Sequence, residues 1–169
     1  PILFETVRKM PVAKENAALF AVTKQQVIGQ VLNQTVRSAE FADLYHKLRS
    51  AGLHPVVVKG QLCSRLYPLE ITASARTTIF DSGRRVHGLT EQLLANGLTT
   101  DTPADELTTA DEVPYTKGGS PLYIELHRHL FDSAEDAHDE LNHFFADLTP
   151  VEIDSFLAMP PHEHLLYLL

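Results

Sequence analysis

The hydrophobic positions in the first part of the chain recur at the spacing of a helix. One set predicts a helix over about residues 12–35, and a second set predicts another helix that Gly52 ends. The first set consists of Phe20, Val27, Ile28 and Val31, and the second of Phe41, Leu44, Tyr45 and Leu48. The opposite faces carry polar residues, as expected for helices that lie at a solvated surface.

The next apolar run leads directly into a Lys-Gly pair. Three consecutive valines at 56–58 predict a strand buried on both faces, and a helical pattern follows Gly60. A glycine at this turn would let a ligand approach the backbone, beside the unpaired first amides of the helix. Lys59 and Arg65 would add positive charge. The junction therefore predicts a phosphate site, and an ordinary strand-to-helix turn with a solvated lysine is the alternative.

The remainder of the chain predicts short strands and helices separated by turns, without an internal repeat. Thr90 is a good N-cap for a short helix that Asn96-Gly97 would end. The other predicted elements are strand residues at 71–72 and 77–80, a turn at 81–83, a loop over 99–111, a hairpin of 112–116 with 121–129, and helices over about 134–148 and from Pro150 onward.

The second strand of the predicted hairpin carries candidate chemistry. Alternation places Tyr123, Glu125, His127 and His129 on one face, and Leu122, Ile124, Leu126 and Arg128 on the other. Glu125 is a candidate ligand for a divalent cation, and His127 for a metal, a phosphate or a reacting hydroxyl. The alternative is that these residues form the wet face of an edge strand.

Composition narrows the classes of ligand and compartment. The 14 basic and 22 acidic residues give a formal net charge of -8, which argues against an extended nucleic-acid surface but not against a local basic pocket. The single cysteine, Cys63, excludes an internal disulfide framework and suggests a reducing compartment. With no membrane-length apolar run and no signal peptide behind Pro1, we expect a cytoplasmic protein.

Several segments, taken together, resemble a known family. They are Val58-Lys59-Gly60-Gln61-Leu62-Cys63 with Leu66-Tyr67-Pro68, then Arg76, then Leu93 to Leu98, then Tyr123-Ile124-Glu125-Leu126-His127-Arg128-His129-Leu130-Phe131, and finally His164 to Leu169. In this order they resemble the uncharacterised nucleotidyltransferase family of the polymerase-beta-like superfamily, over about residues 40–169. The Lys-Gly junction alone is a weak motif, and the Ile-Glu-Leu-His strand makes the combination more specific.

The resemblance implies an α+β fold with a small mixed β-sheet flanked by helices. The implied organisation is N-terminal helices packing on the core at 1–52, a nucleotidyltransferase-like core at 53–148 and the start of a C-terminal helical region at 149–169. Because the apolar run that ends at Leu169 has no helix cap, we expect that region to be truncated.

The resemblance also implies roles for individual residues in nucleotidyl transfer. Lys59, Gly60 and Gln61 would contact the phosphates of a nucleoside triphosphate, and Arg65 or Arg76 would add charge. Asp81 and Glu125 would bind Mg²⁺, and His127 would orient Glu125 or the acceptor. The acceptor, which could be a small molecule, a protein or RNA, is not specified.

One departure from the family pattern affects the expected activity. The family places an Asp-x-Asp or Asp-Glu-Asp pair a few residues after an arginine, whereas Asp81 is the one carboxylate soon after Arg76 here. Two-metal phosphoryl transfer needs clustered carboxylates to hold each cation. Three hypotheses follow, namely a magnesium-dependent nucleotidyltransferase that is either active or degenerate, a non-catalytic nucleotide-binding or protein-interaction module, and a metal-binding protein that uses Glu125, His127 and His129.

Overall fold

The computed structural model describes residues 2–60, 62, 76–83, 85–132 and 137–168. Its helices are α1 (Ile2–Val7), α2 (Val12–Glu15), α3 (Ala17–Ser50), α4 (Val86–Ala95), α5 (His138–Ala146) and α6 (Pro161–Leu168). Its strands are β1 (Val56–Val57), β2 (Thr77–Phe80), β3 (Leu98–Thr99), β4 (Glu112–Lys117), β5 (Tyr123–His127), β6 (Val151–Ile153) and β7 (Phe156–Ala158). Of the predicted site residues, Gln61 and Arg65 lie outside the described residues, as does Cys63.

The strands form one mixed sheet in the order β3-β4-β5-β2-β1-β7-β6. The pairs β2–β5 and β1–β7 are parallel, and the other neighbouring pairs are antiparallel. The predicted α+β architecture with a mixed sheet flanked by helices is therefore confirmed. Within the described residues, none of the helices combines the length and the apolar content needed to cross a membrane.

The sheet separates two apolar clusters, and β1 contributes to both. Val57 belongs to the larger cluster with residues of α3 and α4, whereas Val56 and Val58 belong to the smaller one with Phe145 of α5. Because successive strand residues point to opposite faces, a run of valines satisfies both clusters at once. The prediction that this strand is buried on both faces is confirmed.

Helix α3 continues without interruption where two helices were predicted. The residues between the two hydrophobic sets, 36–40, include no glycine or proline, so nothing interrupts the backbone hydrogen bonding. Its buried side chains all lie in the second half, where Phe41, Leu44, Tyr45 and Leu48 pack on the sheet. The helix ends as predicted at Gly52, where the amides of Gly52 and Leu53 donate to the Arg49 and Leu48 carbonyls in a Schellman motif.

The Tyr45 side chain connects α3 to two strands. Its buried hydroxyl donates to the Pro55 carbonyl just before β1 and accepts from the Leu157 amide of β7, at 2.9 Å each. Burial raises the pKa of the Tyr45 phenol, so the proton needed for the first bond is retained. This side chain therefore ties the helix to both β1 and β7.

Two predictions for the second half of the chain are wrong. Thr90 lies inside α4 rather than capping it, and its hydroxyl is hydrogen-bonded to the buried Tyr115 hydroxyl. The segment after Pro150 forms the hairpin β6–β7 before α6 begins, where a helix was expected. Asp154 and Ser155 both have positive φ, as a tight hairpin turn with two central residues requires. The hairpin predicted for residues 112–129 is confirmed as β4–β5.

Gly60 is enclosed by the backbone that leads into β2. Its φ is +73°, and a Cβ there would lie 2.2 Å from the Arg76 carbonyl oxygen and 2.8 Å from the Thr77 Cα. The prediction that the missing side chain lets a ligand approach the backbone is therefore wrong. The missing side chain makes room for the neighbouring strand of the protein itself.

Gly60→Ala should therefore destabilise the fold more than Gly52→Ala. Gly52 has a similar φ of +78°, but a Cβ added there would have no atom within 4 Å. Gly52→Ala therefore measures the cost of backbone strain alone, about 1–2 kcal/mol. At Gly60 the added methyl also meets backbone atoms that no side-chain rotation can move. Urea unfolding of both variants measures the difference, and equal losses of unfolding free energy would contradict the packing argument.

Candidate functional site

Glu125 is an acidic residue in the interior of the sheet. Strand β5 lies between β4 and β2, and the Glu125 position pairs with Pro114 on one side and Thr78 on the other. Only 6% of Glu125 is exposed. The alternative that this residue lies on the wet face of an edge strand is therefore wrong.

Both carboxylate oxygens of Glu125 have partners. The Arg76 Nη1 donates to Oε1 at 2.8 Å, and the Thr78 hydroxyl donates to Oε2 at 3.1 Å. The hydrogen bond to Glu125 raises the pKa of the Arg76 guanidinium, which also lies 5.9 Å from the centre of the Tyr123 ring. Since the Arg76 side chain is 67% exposed, it can move into solvent when another cation takes its place at the buried Glu125 carboxylate.

His127 and Glu112 lie beside Glu125 on the same face. The β4–β5 register places Glu112 opposite His127, with Nε2 of the imidazole 3.4 Å from Oε2 of the glutamate. One ligand atom each from Glu112, Glu125 and His127 lies within 4.8 Å of the others. These three residues, the Glu112–Glu125–His127 cluster, thus offer two carboxylates and an imidazole. Carboxylates suit Mg²⁺, whereas an imidazole suits transition metals better.

The structure brings Glu125 and His127 together as predicted, but His129 has a different partner. Its Nδ1 lies 2.6 Å from Oδ1 of Asp111, and its backbone carbonyl lies 3.2 Å from Nδ1 of His127. His129 therefore supports the His127 ring through its backbone. Glu112 takes the place that was expected for His129 in the metal-binding hypothesis.

Asp81 lies at the other end of β2 and is bound by Arg85. Its carboxylate accepts hydrogen bonds from the backbone amide and the Nε of Arg85, both at 3.1 Å. It also lines a cavity of about 710 Å³ together with Arg49, His54 and Phe80. Asp81 is not a member of the Glu112–Glu125–His127 cluster. The two carboxylates that were predicted to share Mg²⁺ thus have separate surroundings.

Strand β2 offers no second carboxylate beside Glu125. The parallel register places Thr78 opposite Glu125 and Phe80 opposite His127. These are the positions after Arg76 that share a face with Glu125, and Phe80 is buried in the smaller apolar cluster. Asp81 is therefore the carboxylate nearest in sequence after Arg76, and it lies beyond the end of β2.

Lys59 and Arg76 lie at the same end of adjacent strands. The antiparallel register of β1 and β2 continues through the bond from the Val58 amide to the Thr78 carbonyl, which brings the Lys59-Gly60 turn beside Arg76. Lys59 is exposed, and its Nζ lies 4.7 Å from the centre of the Tyr167 ring of α6. Of the residues predicted to bind nucleotide or metal, Gly60 thus lies against Arg76, and Arg76 in turn binds Glu125.

The chain matches no known protein family, no curated protein and no solved structure.

His164 of α6 is buried behind the Lys59 turn. Its imidazole is hydrogen-bonded to the Val58 backbone, yet burial and the Lys59 charge lower its pKa below the ordinary 6.5. Its Nε2 is buried without a hydrogen-bond partner. The neutral imidazole is therefore the form that the folded state accommodates.

Stability should fall as the pH drops below about 6.5, the ordinary pKa of the His164 side chain. Between the ordinary pKa of His164 and its lower pKa in the folded state, the unfolded chain binds a proton at this side chain and the folded chain does not. Protonation therefore favours unfolding over this pH range. His164→Gln should flatten this part of the profile, whereas His162→Gln, an exposed neighbour, should not. Chemical unfolding between pH 5 and pH 8 measures the profiles, and parallel curves for wild type and His164→Gln would refute the assignment.

Proposed function

We propose that this chain is a nucleotidyltransferase-like protein that binds a nucleoside triphosphate and a divalent cation on the sheet face carrying Glu125, without efficient nucleotidyl transfer. The observation that carries the proposal is the parallel β2–β5 register, which sets one buried carboxylate beside Thr78 and Phe80. The resemblance of the Lys-Gly junction and the Ile-Glu-Leu-His strand to the nucleotidyltransferase family supports the choice of ligand.

The charges around the Lys59 turn suit a triphosphate. Lys59 and Arg76 are both exposed cations on adjacent strand ends, in a chain whose formal net charge is -8. An acidic protein repels polyanions in general, so a small cationic spot favours a small anionic ligand over a nucleic acid. Arg76 would turn from Glu125 to the phosphates, while a cation takes its place at the carboxylate.

The same geometry argues against efficient transfer. In-line displacement needs positioned cations that neutralise charge on both the attacking and the leaving oxygen. Here Asp81, the other acidic residue of the predicted site, is bound by Arg85 beside the cavity that Arg49, His54 and Phe80 line. With Thr78 and Phe80 at the flanking positions, the face is expected to retain the ligand and to lack the second metal.

Glu125→Gln should abolish the magnesium dependence of nucleotide binding. Gln keeps the size of the side chain but removes the charge that would hold the cation, so we expect affinity in the presence of Mg²⁺ to fall by about tenfold or more, about 1.4 kcal/mol. Calorimetry of each common nucleoside triphosphate, with and without Mg²⁺, measures this. Glu91→Gln, an exposed glutamate on α4, is the matched control and should bind like wild type.

Two results would contradict the proposal in different ways. The absence of binding heat with all the nucleotides, on protein confirmed to be folded, would favour a protein-interaction module. Incorporation of α-phosphate label into an acceptor by wild type, lost in Glu125→Gln, would instead show that transfer is efficient although Asp81 and Glu125 are separated.

A further inference from the structure

The Glu112–Glu125–His127 cluster has the composition of a transition-metal site. Three ligand atoms from three side chains lie within 4.8 Å of one another, which is close enough for one ion to contact all of them after small side-chain rotations. The three residues come from two paired strands, so the sheet hydrogen bonds fix their backbone positions. A site built on paired strands is already ordered before an ion binds.

The His127 ring is oriented as a metal ligand would be. Its Nδ1 lies 3.2 Å from the His129 carbonyl oxygen, an acceptor that requires the proton to be on Nδ1. Nε2 lies 3.4 Å from Oε2 of the Glu112 carboxylate, so the ring nitrogen and the carboxylate face each other across a gap that one cation could bridge. A backbone carbonyl that holds the second ring nitrogen is the usual support of a metal-binding histidine.

The donor set also indicates which class of ion fits. Mg²⁺ and Ca²⁺ prefer oxygen ligands throughout, whereas imidazole nitrogen favours Zn²⁺, Co²⁺ and related ions. Three protein ligands leave further coordination positions for water or for an oxygen of a bound ligand. Arg76, which now holds one oxygen of Glu125, is largely exposed and can move into solvent when an ion arrives.

We propose that Glu112, Glu125 and His127 bind a divalent transition-metal ion of the Zn²⁺ and Co²⁺ type, in preference to Mg²⁺. This ion binds without a nucleotide, so the inference does not rest on the function proposed above. If a nucleotide does bind beside Arg76, its phosphate oxygens would reach the open positions of the same ion.

Co²⁺ titration of the chelator-treated full chain tests the site. Visible absorption of Co²⁺ reports nitrogen and oxygen ligation, and calorimetry with Zn²⁺ gives the affinity and the stoichiometry. We expect one strong ion per chain, with affinity at least about tenfold weaker in both His127→Gln and Glu112→Gln. Excess Mg²⁺ should not displace the ion.

The matched control is an exposed pair of the same residue types. His87 and Glu91 on α4 lie 3.3 Å apart, much like His127 and Glu112, and among the described residues no third candidate ligand joins them. His87→Gln should bind Co²⁺ like wild type. Circular dichroism of every variant confirms folding, and Glu112→Gln serves where His127→Gln does not fold, because Glu112 is exposed.

The proposal is overturned if wild type and Glu112→Gln bind Co²⁺ equally, or if His87→Gln weakens binding as much as His127→Gln does. It is also overturned if Mg²⁺ competes at equal concentration. Since the titration contains no nucleotide, Co²⁺ binding supports the metal site even when no nucleoside triphosphate binds. The absence of Co²⁺ binding does not bear on the proposal of nucleotide binding, which calorimetry with nucleoside triphosphates tests separately.

Discussion

The parallel pairing of β2 with β5 is the constraint on which the rest of the candidate site depends. It places a carboxylate in the sheet interior, and a buried charge is costly unless it is paired and hydrogen-bonded. Thr78 supplies a hydrogen bond from the partner strand, and Arg76 supplies a cation from the residue just before that strand. A shift of the β2–β5 register by one residue would point the Glu125 side chain into the larger apolar cluster. The observed register is therefore favoured, because it keeps the Glu125 carboxylate beside the groups that pair with its charge.

The strand β1 links this polar site to the rest of the fold. Its valines join both apolar clusters, and Gly60 then allows the chain to pass against the start of β2. The close approach at Gly60 is what brings Lys59 beside Arg76. The cationic spot is therefore a consequence of backbone packing. The Lys59-Gly60 turn, which the sequence predicts as a phosphate site, is in the structure a tight contact between the end of β1 and the start of β2.

The elements that the sequence predicted well are those with a strong local pattern. The valine strand, the end of α3 at Gly52 and the β4–β5 hairpin depend on residues near one another in the chain. Glu112 was missed because the alternation along β5 identifies only residues of that strand, whereas Glu112 joins the site from the neighbouring strand, opposite His127. The β6–β7 hairpin was missed because its turn uses Asp154 and Ser155 rather than glycine. In addition, β7 is stabilised by pairing with β1, which is distant in sequence.

Phe80 explains why the polar side chains on the sheet face that carries Glu125 lie towards β4 rather than towards β1. On the face shared with Glu125, the half of the sheet around β1 is covered by α5 and α6, whose Phe145 and Tyr167 pack with Phe80 and Val58. A charged residue at position 80 would have to be buried among these side chains at a high cost in free energy. The apolar residue at position 80 therefore extends the core along β2 on this face. The polar groups that remain on this face are gathered on the other side of β2, where Glu125 meets His127 and Glu112.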